Sequence, residues 1–92
     1  MRIRYTPHAR ADIEFIYSYL QEYSSSGAKN VMHAIRTSIE YIARMPLSSG
    51  TTNNPDVRVR TVLKYRYKIF YSIVGDAVEI LHIRHTSRRE WI

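Results

Sequence analysis

Apolar positions recur at three- and four-residue steps through the first half of the chain and at every other residue through the second. Arg2-Ile3-Arg4-Tyr5 alternates polar and apolar, as a short half-buried strand does. Thr6-Pro7 reads as a helix N-cap followed by proline at the first helical position. Ala9, Ile13, Ile16, Leu20 and Tyr23 then come at helical spacing, which predicts a helix to about Tyr23. Ser24-Ser25-Ser26-Gly27 is read as a break. A second stripe of Ala28, Val31, Met32, Ile35, Ile39, Ile42 and Met45 predicts another helix, stopped by Pro46. Each helix needs a surface on which to bury its stripe, so the pair is expected to form a helical hairpin.

Residues 46–56, PLSSGTTNNPD, are a loop by composition. Beyond them the period becomes two. Residues 57–64 alternate, residues 66–74 are rich in aromatic and β-branched side chains, and residues 77–84 come after a Gly75-Asp76 hairpin turn. The expected order is β-α-α-β-β-β, an α+β fold with the hairpin on one face of a mainly antiparallel sheet. Residues 1–92 are expected to form a single domain.

Strand parity predicts which side chains share a face. In residues 57–64, Val57, Val59, Thr61 and Leu63 are assigned to the core, with Arg58, Arg60, Val62 and Lys64 outside. In the next strand Ile69, Tyr71 and Ile73 are assigned to the core, leaving Lys68, Phe70 and Ser72 outside. In the last strand Leu81 and Ile83 suit the core, with Ile80, His82 and Arg84 outside. Arg58, Arg60, Lys64, Lys68, His82 and Arg84 would then share one open face with Phe70, and no acid among them. Like charges opposite each other weaken a sheet, so such a face is read as a binding surface rather than a solvated one.

Charge sharpens that reading. The net charge is +6, and residues 57–92 hold eight Lys/Arg against three Asp/Glu, whereas residues 1–46 hold six against four. A polyanionic partner, nucleic acid or an acidic protein, is the natural counterpart. The absence of cysteine excludes disulfides and thiolate nucleophiles. Charges interrupt every apolar run and Met1–Tyr5 lacks a signal-peptide core, so a soluble cytoplasmic protein without a membrane partner is expected.

Cleaving RNA through its 2′-hydroxyl requires a proton acceptor, a proton donor and cations over the developing phosphorane charge. His82, His85, Lys64, Lys68, Arg84 and Arg88 supply those types, and Phe70 offers a platform for an unpaired base. A non-catalytic RNA-binding module uses the same residues. His82-x-x-His85 does not suit a metal, because positions i and i+3 of a strand point to opposite faces; no metal or other cofactor is expected. His8 and His33 are read as surface or boundary residues, and Trp91 as an anchor of the C-terminus or a hot spot for a partner.

Residues 5–20 (YTPHARADIEFIYSYL), 43–46 (ARMP) and 57–91 (VRVRTVLKYRYKIFYSIVGDAVEILHIRHTSRREW) resemble the RelE/ParE superfamily of type II toxin–antitoxin toxins. The tail carries most of the likeness: Tyr67 to Tyr71, a tight turn, a hydrophobic strand, then His85 and Arg88. The resemblance implies a toxin neutralised by an acidic antitoxin that covers its basic face. For a RelE-like mRNA endonuclease acting at the ribosome, it implies Lys68 and Arg88 (or Arg89) as the basic catalytic residues, and with His85 as the proton shuttle the catalytic set would be Lys68, His85 and Arg88. For a ParE-like inhibitor of DNA gyrase it implies a binding protein. The superfamily's terminal tyrosine is replaced by Glu90-Trp91-Ile92, and both helices are long, which favours the ParE-like branch. The binding set is Arg58, Arg60, Lys64, Lys68, Phe70, His82, Arg84, Arg89 and Trp91.

Overall fold

A computed structural model describes residues 1–86. The elements are β1 (Arg2–Tyr5), α1 (Pro7–Gln21), α2 (Ser25–Arg44), β2 (Gly50–Thr51), β3 (Arg58–Val62), a 3-10 turn (Leu63–Tyr65), β4 (Tyr67–Val74) and β5 (Ala77–His85). The five strands form one sheet in the order β1-β5-β4-β3-β2. β1 runs parallel to β5 and the other pairs are antiparallel. This is the expected α+β arrangement, extended by the two-residue β2 within the loop.

The helix ends are set by local chemistry. The Thr6 hydroxyl accepts from the Ala9 N–H at 3.0 Å and Pro7 stands at the first helical position. The Ser24 hydroxyl accepts from the Gly27 N–H at 3.0 Å. Ser25, Ser26 and Gly27 are therefore the first turn of α2, not the break expected from their composition. Only Glu22, Tyr23 and Ser24 separate the helices. A serine cap supplies the acceptor that the first turn's amides lack, and this outweighs the low helix propensity behind it.

The core joins Ile16 of α1, Val31, Ile35, Ile39 and Ile42 of α2, Tyr67, Ile69 and Tyr71 of β4, and Val78, Ile80 and Ile83 of β5. Each such side chain contributes on the order of 1.5–3 kcal/mol through burial. Tyr71 is fully buried and its hydroxyl donates to the Pro46 carbonyl at 2.6 Å, which ties the end of α2 to the sheet.

Two expectations of parity are overturned. In β3, Arg58, Arg60 and Val62 stand opposite Tyr71, Ile69 and Tyr67, so they lie on the helix side of the sheet. Val59 and Thr61 stand opposite Phe70 and Lys68 on the open side. The arginines are accommodated because β3 lies near the sheet edge, beside the end of α2, where long stems pack while the heads find partners. The Arg60 guanidinium lies 4.2 Å from the centre of the Tyr41 ring. Arg58 Nη1 donates to the Ser49 carbonyl at 3.1 Å. The strand also ends at Val62, so Leu63 is 83% exposed instead of buried and Lys64 sits on the adjoining turn, off the sheet.

In β5 the register slips between Phe70 and Tyr71: Phe70 pairs with His82 and Tyr71 with Ile80, leaving Leu81 as an extra residue. A bulge of this kind reverses the parity of the residues beyond it. Ile80 and Ile83 are accordingly both fully buried, although simple alternation puts them on opposite faces. Thr6 secures the bulge: its backbone N–H donates to the Ile80 carbonyl at 3.1 Å and its hydroxyl to the Leu81 carbonyl at 2.7 Å.

Candidate functional site

The open face is built where β4 and β5 pair. Lys68 stands directly across from Arg84, Phe70 from His82, and Ser72 from Glu79. Of the six basic and titratable groups expected to share this face, Lys68, His82 and Arg84 do so. Arg58 and Arg60 lie on the other side, and Lys64 has left the sheet. The face is also not free of acid, because Glu79 occupies its far end. Arg4 of β1 stands across from Glu79, so that end of the face is mixed in charge rather than basic.

Lys68 opposite Arg84 is a like-charge pair, which costs the sheet a fraction of a kcal/mol. Folding alone does not favour that juxtaposition. Next to it, the Phe70 and His82 rings stack with centroids 4.5 Å apart and planes 6° from parallel. His8, from the first turn of α1, meets the His82 ring edge-on at 5.4 Å. His8 Nδ1 in turn lies 3.0 Å from Asp12 Oδ2.

Asp12 explains why α1 ends up here. β1 stops at Tyr5, opposite Ile80, so β5 continues beyond it without a strand on that side. The buried Asp12 carboxylate accepts from the Ile83 N–H at 2.8 Å and so satisfies the exposed edge. His8 lies one helical turn before Asp12 and is carried over His82. Sequence reasoning missed both residues as members of this site. Their four-residue spacing puts them on one side of a helix, but nothing local says which strand that side meets.

His82 has a pKa lowered from its ordinary value, first by burial and then by the nearby His8 and Arg84, against an opposing pull from Asp12. The neutral imidazole is therefore favoured near neutral pH. His85 projects to the opposite face, across from Tyr67, with the two rings edge-on at 5.1 Å. The expected separation of His82 from His85 holds, and it also parts His85 from Lys68. Arg88, Arg89 and Trp91 lie outside the described residues. Among the described residues no group of three His, Asp or Glu side chains is arranged to hold a metal ion. No described helix is long and apolar enough to cross a membrane.

The family model for the ParE toxin of the type II toxin–antitoxin system parDE matches residues 3–90. The chain belongs to the ParE toxin family. Among solved structures, a chain of the chromosomal ParDE toxin–antitoxin system from P. aeruginosa superposes with a TM-score of 0.80 at 22% identity, covering 92% of this chain and 95% of that one. The isolated E. coli RelE toxin gives 0.67 at 12% identity, covering 97% and 87%. A chain of the intact E. coli RelBE toxin–antitoxin complex gives 0.67 at 11%, covering 95% and 98%. These likenesses establish a fold shared by ParE and RelE toxins. No curated protein matches the chain significantly. This ParE-family chain thus carries a basic, aromatic patch of Lys68, Phe70, His82 and Arg84 on one face of its sheet, opposite the side that holds Tyr67, Ile69 and Tyr71.

Proposed function

We propose that this toxin acts as a ParE-like inhibitor of DNA gyrase, binding its target without catalysis, and that an acidic antitoxin neutralises it by covering the Lys68–Arg84 patch. The observation that carries the reading is the parting of Lys68 from His85: the two stand on opposite faces of the sheet. An acid–base pair must reach one substrate from one side, within hydrogen-bonding distance of the protons it moves. Lys68 and His85 do not meet that requirement, whereas a patch of two cations and stacked rings suits a protein surface that is held rather than cut. Charge complementarity would speed the encounter with the antitoxin and apolar anchors beside it would set the lifetime.

The deciding experiment adds the purified chain to gyrase-driven DNA supercoiling and, separately, to translating ribosomes. Loss of supercoiling with intact mRNA supports the proposal. Cleaved mRNA with unaffected supercoiling overturns it.

One observation favours a RelE-like endonuclease as the second reading. His82, held toward its neutral form, shares its face with Lys68 and Arg84. A neutral imidazole is a proton acceptor, and the two cations would stabilise phosphorane charge. If this is the activity, His82→Ala and Lys68→Ala each abolish mRNA cleavage while His85→Ala leaves it largely intact.

A further inference from the structure

His82 is fixed by ring contacts alone. Phe70 of β4 stacks on it with the planes 6° from parallel, and His8 of α1 meets it edge-on at 5.4 Å. His8 is in turn held by Asp12, whose Oδ2 also accepts from the Ile83 N–H, so the clamp rests on the backbone of β5 itself. Among the described residues neither nitrogen of His82 has a hydrogen-bond partner. The fully buried side-chain polar atoms that lack one are Ser49 Oγ and Arg60 Nε, so the His82 nitrogens are open to an incoming group. A ring held in place with its polar atoms unused is suited to bind something.

The charges around it say what. Arg84 stands two residues on along β5, and Lys68 of β4 lies across from Arg84. α1 contributes His8 and Asp12, while Arg4 of β1 is set farther back, across from Glu79. Burial, His8 and Arg84 all disfavour the charged imidazole, against Asp12. An incoming anion beside Arg84 would reverse that balance, because an opposite charge within about 4–6 Å favours the charged form of a titratable group. A carboxylate is the best match, since it accepts from a guanidinium and from an imidazolium N–H at once. A continuous phosphate backbone laid along this face would also run over Glu79, whereas a single carboxylate side chain avoids it.

We propose that a carboxylate of the acidic antitoxin seats between His82 and Arg84, and that His82 takes up a proton as it does so. The contact rests on the reading of the Lys68–Arg84 patch as the antitoxin site and supplies its chemistry. Neutral before binding and charged after it, His82 makes the complex tighter as the pH falls. One linked proton changes affinity by up to about tenfold per pH unit. The gain operates between the two His82 values: below that of the free chain the ring is charged in both states, and above that of the complex it is neutral in both.

The test uses the purified full chain with hexaglutamate as the probe, at low salt and above about pH 5.5, where glutamates of ordinary pKa near 4.3 stay ionised. NMR follows each histidine ring separately, and His82→Gln assigns the signal. The expected result is a His82 midpoint that rises when the peptide binds, with affinity gaining several-fold for each unit the pH falls. His33, exposed on α2, should not respond to the peptide. His82→Gln should still bind and lose most of the pH dependence. A midpoint that stays or falls on binding overturns the proposal, and that measurement needs no variant to fold. Failure of the peptide to bind overturns it as well. A hexathymidylate that raises the midpoint where hexaglutamate does not would do the same, by assigning the contact to a nucleic acid backbone. Lys68→Ala tells failure of this contact from failure of the patch. Binding weakened by Lys68→Ala with the His82 midpoint unmoved rejects the proton-linked contact alone; binding indifferent to Lys68→Ala rejects the patch and the contact together.

Discussion

β3 and the β4–β5 pair both carry basic residues, and they hold them in opposite ways. On β3, Arg58 caps loop carbonyls and Arg60 lies on the Tyr41 ring, both under the helices. On β4 and β5, Lys68 faces Arg84 across the ladder with no carboxylate within salt-bridge distance among the described residues. The first pair of cations stabilises the fold; the second opposes it slightly, as the proposed binding role of the open face would require. Residue type alone therefore does not separate an arginine that stabilises the fold from one that does not. The face it occupies does.

The strongest way to break this comparison is to reverse the charge of the open face. Lys68→Glu with Arg84→Glu should weaken antitoxin binding about a hundredfold or more, since disrupting close interfacial charge pairs costs roughly 2–5 kcal/mol. Titration calorimetry would measure it, and unfolding of the free variant should show no loss beyond a few tenths of a kcal/mol. Affinity within threefold of the unaltered chain would remove the open face from the interface.

Next in size is the support beneath that face. Asp12→Ala leaves the Ile83 N–H without its acceptor and should lower unfolding stability by about 1–3 kcal/mol in urea titrations. Asp12→Asn, which keeps an oxygen in place, should lose less. Equal losses would mean that the carboxylate's charge, not its acceptor oxygen, holds β5.

On the β3 side, Arg60→Ala should cost about 1 kcal/mol of stability through the lost contact with Tyr41, and leave antitoxin affinity unchanged. If affinity fell instead while stability held, the division between the two regions would be wrong.

The smallest effect is a pH dependence. Burial lowers the His82 pKa in the folded chain, so the unfolded chain binds the proton more readily. Stability from this group is complete above the unfolded value of about 6.5 and declines as the pH falls from there toward the folded value, below which the loss levels off. His82→Phe should remove that part of the slope between neutral and mildly acidic pH, and thermal melts across the range would record it.

Elements with strong periodicity were legible from sequence. The Thr6-Pro7 cap, the Gly75-Asp76 turn and most of both helical stripes act over a few residues and stand where the pattern puts them, whereas Tyr23 and Met45, the last position of each stripe, lie beyond the helix ends and are exposed. The open-face positions of Lys68, Phe70, His82 and Arg84 were legible too, because β4 alternates from Tyr67 to Ser72 and fixes its partner, although Ile73, assigned to the core, is 38% exposed near the end of the strand. What escaped was tertiary. The alternation of Val59 and Arg60 suits either face of an edge region, and the choice falls to distant partners: the Tyr41 ring under Arg60, the Ser49 carbonyl at Arg58 and the core around Val62. The extra residue at Leu81 is set by Thr6, more than seventy residues away in the chain. The meeting of His8 with His82 depends on that same long-range contact.

The bulge also bears on how members of this family are compared. A relative whose last strand lacks the extra residue would present its next histidine or arginine to the opposite layer, even at an identical aligned position. Functional equivalence between such chains tracks the geometric offset from this joint rather than the alignment column. Deleting Leu81 would be the corresponding experiment within one molecule, since it forces the strand either to keep its hydrophobic anchors or its exposed charges, but not both.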